Sequence, residues 1–147
     1  MKKMFALFIL ITFNISFAKS QCSDIVLKSI GQVSALYLYN TYGLIGSLAD
    51  GLESSPNDST SVRPLINEQI STLTSLKSTY SEMATNGGLA QNDQNFVYEI
   101  IDAYTLLIDE AKALNAYMKS PGTTEADFFQ TKRKAAWAKI AAILGLE

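Results

Sequence analysis

The sequence predicts an all-α, single-domain four-helix bundle behind a cleaved N-terminal signal peptide, and three observations predict it. All three prolines and half of the eight glycines fall at three points along the chain. The segments between these points repeat apolar residues every three or four positions, the spacing of one helical face. No stretch alternates apolar and polar residues as a half-buried strand would.

The leader comes first. Lys2 and Lys3 precede an unbroken apolar run over residues 4–13, and Ser16-Phe17-Ala18 closes it. A charged start, an apolar middle and a small-x-small end are the pattern of a secretory signal. Residues 1–18 are therefore expected to be removed, leaving residues 19–147 as the bundle domain in a periplasmic or secreted setting. That domain has 129 residues, 147 less 18. A chain of this length buries about two-thirds of its unfolded surface and needs no metal or disulfide for a core.

The first helical segment covers about residues 23–52. Ile30, Val33, Tyr37, Leu44 and Leu48 form one stripe, widened by Leu38, Thr41 and Ile45. The loop over residues 51–64 follows, about twelve residues long, and contains Ser54-Ser55-Pro56-Asn57-Asp58-Ser59. The second segment opens with Pro64 in its first turn, where a missing N–H costs nothing. Its stripe is Ile66, Leu73, Leu76, Tyr80 and Met83, and Gly87 follows its end as a helix C-terminus prefers. The third has Asn92 or Asp93 to cap it, and the ladder Val97, Ile100, Tyr104, Leu107, Ala111, Leu114, Met118. After Ser120-Pro121-Gly122 the fourth opens with Thr124-Glu125-Ala126-Asp127, a capping arrangement. Phe129, Ala136, Ile140 and Ile143 make its stripe, with Trp137 alongside. Short second and third connections fit an up-down-up-down order, and the longer first loop also allows a crossover connection.

Composition removes several chemistries. The chain has no histidine, so histidine triads, imidazole metal sites and histidine-ligated haem are excluded. Its single cysteine, Cys22, excludes Cys-x-x-Cys redox or zinc chemistry. Lys19, Ser20 and Gln21 before Cys22 are not the small or aliphatic residues a lipoprotein signal asks for. Asp109-Glu110 and Glu99/Asp102 are expected to be solvated charge, so neither a di-metal site nor a catalytic carboxylate pair is expected, and no cofactor is implied. Of twelve basic residues, losing Lys2 and Lys3 leaves ten against fourteen acidic ones, a net charge of −4. That balance argues against general nucleic-acid binding. The charge-free stretch 29–49 carries Gln32, Asn40, Thr41, serines and glycines, too polar for a membrane span. Asn57-Asp58-Ser59 matches a glycosylation sequon, a weak signal on its own.

Three clusters remain as candidates. On the back of the first segment, Tyr39, Tyr42, Gly43 and Gly46 share one side at about 100° per residue. Tyrosine suits interfaces because its ring buries while its hydroxyl stays bonded, and glycine lets another backbone approach. This face is expected either to bind a protein partner or a second copy, or to be covered by a neighbouring helix. Tyr37, Tyr80 and Tyr104 lie on the core stripes of three segments and can meet in one layer. With Asn40 at the edge, they are the alternative: a pocket for a small ligand. Lys132, Arg133, Lys134 and Lys139 around Trp137 suit either an anionic surface or the helix dipole. The expectation is an exported, non-enzymatic interaction or structural module, with a ligand carrier as alternative and an enzyme without histidine as the least favoured.

Overall fold

The computed structural model describes residues 2–54 and 59–146, with side chains from residue 24 onward except Glu53. The side chains of the leader and of Cys22, and residues 55–58 with Asn57 and Asp58, lie outside this description. The chain is all-helical: α1 (Lys2–Ser54), α2 (Ser59–Asn86), α3 (Gln91–Lys119) and α4 (Thr123–Leu144), with no strand among the described residues. Four helices and no strands are consistent with a four-helix bundle. No described helix is long and apolar enough to cross a membrane.

Two units divide the chain, Met1–Val33 and Ser34–Glu147. The first consists of the leading part of α1. Within it the Ser29 hydroxyl donates to the Ile25 carbonyl at 2.9 Å, and Ile25, Val26 and Val33 are exposed.

The second unit holds the core. Leu38, Ile45 and Leu52 of α1, Val62, Ile66 and Leu73 of α2, Ile100 to Met118 of α3, and Phe129, Ala136 and Ile140 of α4 form one buried cluster. Side-chain contacts tie neighbouring helices together. Ser34 meets Tyr80, Arg63 meets Met118, Asn67 meets Asn115, and Lys132 and Lys139 meet Asp109 and Asp102. Between α2 and α3, and again between α3 and α4, the residue number falls along one helix as it rises along the other, so these neighbours run in opposite directions.

Every residue of the α3 ladder from Val97 to Met118 is buried. In α1 the buried stripe is instead Ser34, Leu38, Thr41, Ile45, Ala49 and Leu52. Val33 and Leu44, expected inside, are exposed, and Tyr37 and Leu48 are half-buried. The residues expected only to widen the stripe are its centre. This helix is apolar over most of its circumference, so spacing alone could not orient it.

The first connection is shorter than expected, because α1 runs to Ser54 and α2 begins at Ser59. Pro64 therefore sits inside α2, where it forfeits the hydrogen bond to the Thr60 carbonyl. The expected side-chain caps are not used: Ala90 and Gly122 occupy the N-cap positions of α3 and α4. Gly87 donates to the Met83 carbonyl at 2.9 Å, and a Cβ there would collide with that oxygen. Gly88, at φ 62°, supplies the left-handed turn.

Candidate functional site

Tyr39, Tyr42 and Gly43 of α1 and Trp137 of α4 line an open recess of about 280 Å³. The Tyr42 and Trp137 rings lie 5.2 Å apart at 34°, and Tyr39 and Trp137 lie 6.4 Å apart at 56°. Tyr39 is 49% exposed. An α-helix brings positions 39, 42, 43 and 46 to one side, while 133 and 137 are one turn apart on α4. Pairing α1 with α4 in opposite directions places these two short ladders against each other.

Arg133 builds the edge of the recess. Its guanidinium lies 5.3 Å from the Tyr42 ring centre, its Nε donates to the Tyr42 hydroxyl at 3.4 Å, and its Nη1 is 3.8 Å from Asp50. A cation over a tyrosine face is attracted by the ring quadrupole. Gly46 makes this possible, because a Cβ there would fall within the guanidinium. Of the four residues first grouped on this face, Tyr39 and Gly43 remain open. Tyr42 is half-buried beneath α4 side chains, and Gly46 is buried. α4 covers one end of this face and leaves the other open.

The three-tyrosine layer also assembles. Tyr104 is buried, with Tyr80 edge-on at 5.4 Å and Tyr37 edge-on at 6.4 Å. Tyr80 shares a hydrogen bond with Ser34 of α1. Burial, reinforced by Tyr80, pushes the Tyr104 phenol well above its ordinary value, so it stays neutral. Asn40, expected at the rim of this layer, is exposed and does not join it. Within the layer the rings pack edge-on against Tyr104.

Glu110 departs most from expectation. It is fully buried, and neither carboxylate oxygen has a hydrogen-bond partner. Burial pushes its carboxyl up to about 8, against the opposing pull of the Arg133 charge. Its neighbour Asp109, also expected to be solvated, is half-buried and pairs with Lys132 at 3.0 Å. Lys139 pairs with Glu99 and Asp102, so three of the four basic residues of α4 are engaged with α1 or α3 and only Lys134 is well exposed.

Spacing on α1 alone does not reveal Trp137 of the recess, Arg133 at its edge or the buried acid. The sequence sets Arg133 and Trp137 among α4's charges, at the i, i+4 spacing that brings them together. Glu110 lies on the ladder Ala103, Leu107, Glu110, Leu114, which marks a core position. Among the described residues no three acidic or cysteine side chains gather where they could hold a metal ion. No family model matches the chain, and no curated protein or solved structure matches it.

Proposed function

We propose that this protein is an exported, non-enzymatic interaction module, an up-down-up-down bundle that acts after loss of residues 1–18. It binds a protein partner through the Tyr39/Tyr42/Trp137 surface. One observation carries the reading: two tyrosines and a tryptophan meet around an open recess, beside an arginine held in place by its own contacts. Tyr, Trp and Arg are the residue types that dominate binding energy at protein interfaces. Tyrosine and tryptophan are large and lose little conformational freedom when they dock. Here the freedom is further reduced, since Trp137 is braced by Tyr42 and Arg133 by Tyr42 and Asp50.

The export half of the reading rests on the leader's sequence pattern. A catalytic reading finds no support in the recess, which offers rings and no acid–base pair. Glu110 lines neither the recess nor the small gap of about 30 Å³ beside Tyr117 and Phe129.

The test combines Tyr39→Ala with Trp137→Ala. Both side chains lie outside the fully buried set, so circular dichroism should stay unchanged. Partner capture from the source's extracytoplasmic fraction should fall by about 30-fold, the loss of a hot spot worth about 2 kcal/mol. An identical set of captured proteins with wild type and the double variant would refute the reading.

A further inference from the structure

Beside the recess, α1 turns an unusual strip outward. Leu36 is 62% exposed and Leu44 is 41% exposed, with Asn40 midway between them and also exposed. Gly43 and Ser47 are exposed on the same side. Leu36, Asn40 and Leu44 are four residues apart and so form one ridge along the helix. No charged residue occurs between positions 34 and 49.

We infer that this strip is a self-docking surface, on which a second copy of the chain pairs antiparallel about a two-fold axis at Asn40. The inference rests on the interaction reading above and names the partner. The order Leu-x-x-x-Asn-x-x-x-Leu reads the same in both directions. In an isologous pair, residue i meets residue j and j meets i. A dyad at Asn40 therefore sets Leu36 of each copy against Leu44 of the other, and Asn40 against Asn40. The pairing satisfies itself chemically. Each amide has both donors and an acceptor, so two asparagines can bond one another, as polar residues on helix seams do when they fix register.

Shape adds to this. A Cβ at Gly43 would meet nothing within 4 Å. The same dyad brings the second copy's Tyr39 to the level of position 41, on the flank where Gly43 leaves this notch. The strip's neutrality suits an uncharged occupant, and the same strip on a second copy is one. The strip offers no charge for a charged partner to recognise. Two net-negative copies repel wherever acids face each other, and an uncharged strip lets them touch without burying any. Positions 36–47 span only about 17 Å of helix, so the contact belongs to the small, readily reversible class.

The experiment uses the full chain with Cys22→Ser, so that introduced thiols act alone. Sedimentation should show a monomer–dimer equilibrium at up to about 1 mM chain, and Leu36→Glu or Leu44→Glu should weaken it at least tenfold with unchanged circular dichroism. Under mild oxidation Asn40→Cys should cross-link into a dimer, because position 40 meets itself. Ser47→Cys should not, because the dyad pairs it with position 33. A monomer at every concentration overturns the inference, as does equal cross-linking at 40 and 47. A monomer that still captures a partner through Tyr39 and Trp137 overturns self-docking alone and leaves the interaction reading standing.

Discussion

At Glu110 a carboxyl group has lost its water without gaining a hydrogen bond. The consequence is a pH dependence of definite sign. Its ordinary value is 4.5 and its folded value about 8. Between these the folded chain keeps a proton that the unfolded chain has released. Stability is therefore greatest below about pH 4.5 as far as this group is concerned, falls as pH rises, and levels off above about pH 8. Glu110→Gln keeps the shape and removes the titration. Urea unfolding at about pH 5 and about pH 9 should show a falling midpoint for wild type and a flatter one for the variant. Equal slopes would mean that Glu110 finds a partner in solution. The position was legible from its place on the Leu107–Leu114 ladder. Its burial was not, because charged residues are almost never fully buried unless paired.

Along α1, two glycines one turn apart face different surroundings. Gly43 has open space where a side chain would be, whereas Gly46 has the Arg133 guanidinium. Glycine inside a helix costs about 0.5–1 kcal/mol relative to alanine. Gly43→Ala should therefore raise stability by about that amount, read as a higher melting temperature. It should also weaken self-docking by filling the notch. Gly46→Ala gains the same helix propensity but pushes the guanidinium off Tyr42, so its net gain should be smaller. An equal gain at both positions would show that Arg133 is not held there. At this scale legibility varied among the helices. The ladder of α3 was readable in full, because one face is apolar and Asp102 marks the opposite one. That of α1 was not, because its charge-free stretch over residues 29–49 gives no charged face to count from. Nor were the N-caps, where backbone turns at Ala90 and Gly122 took the place of Asn92 or Asp93 and of Thr124.

Across the second unit, one cluster ties parts of all four helices together, and Leu107 is fully buried within it. Leu107→Ala should cost about 2–5 kcal/mol, from lost transfer energy and the cavity left behind. Lys139→Ala removes ion pairs to Glu99 and Asp102, acids that are themselves more than half exposed, and should cost no more than about 1 kcal/mol. Chemical denaturation of the two variants separates these effects, and a comparable loss from each would overturn the ranking. The candidate site belongs to this scale too. Its tyrosines were visible on one face of α1, but Trp137 and Arg133 reach them across some ninety residues of sequence. The sequence by itself determined the number of helices, the core face of α3, the absence of imidazole and paired-thiol chemistry, and the tyrosines able to meet in one layer. Those follow from local spacing and composition. Only the tertiary structure decided which side of α1 turns inward, that Glu110 is buried, and that α4 closes over Gly46 while leaving Tyr39 and Gly43 open. Each of these depends on what packs against a helix, and the periodicity of a helix carries no record of its neighbour.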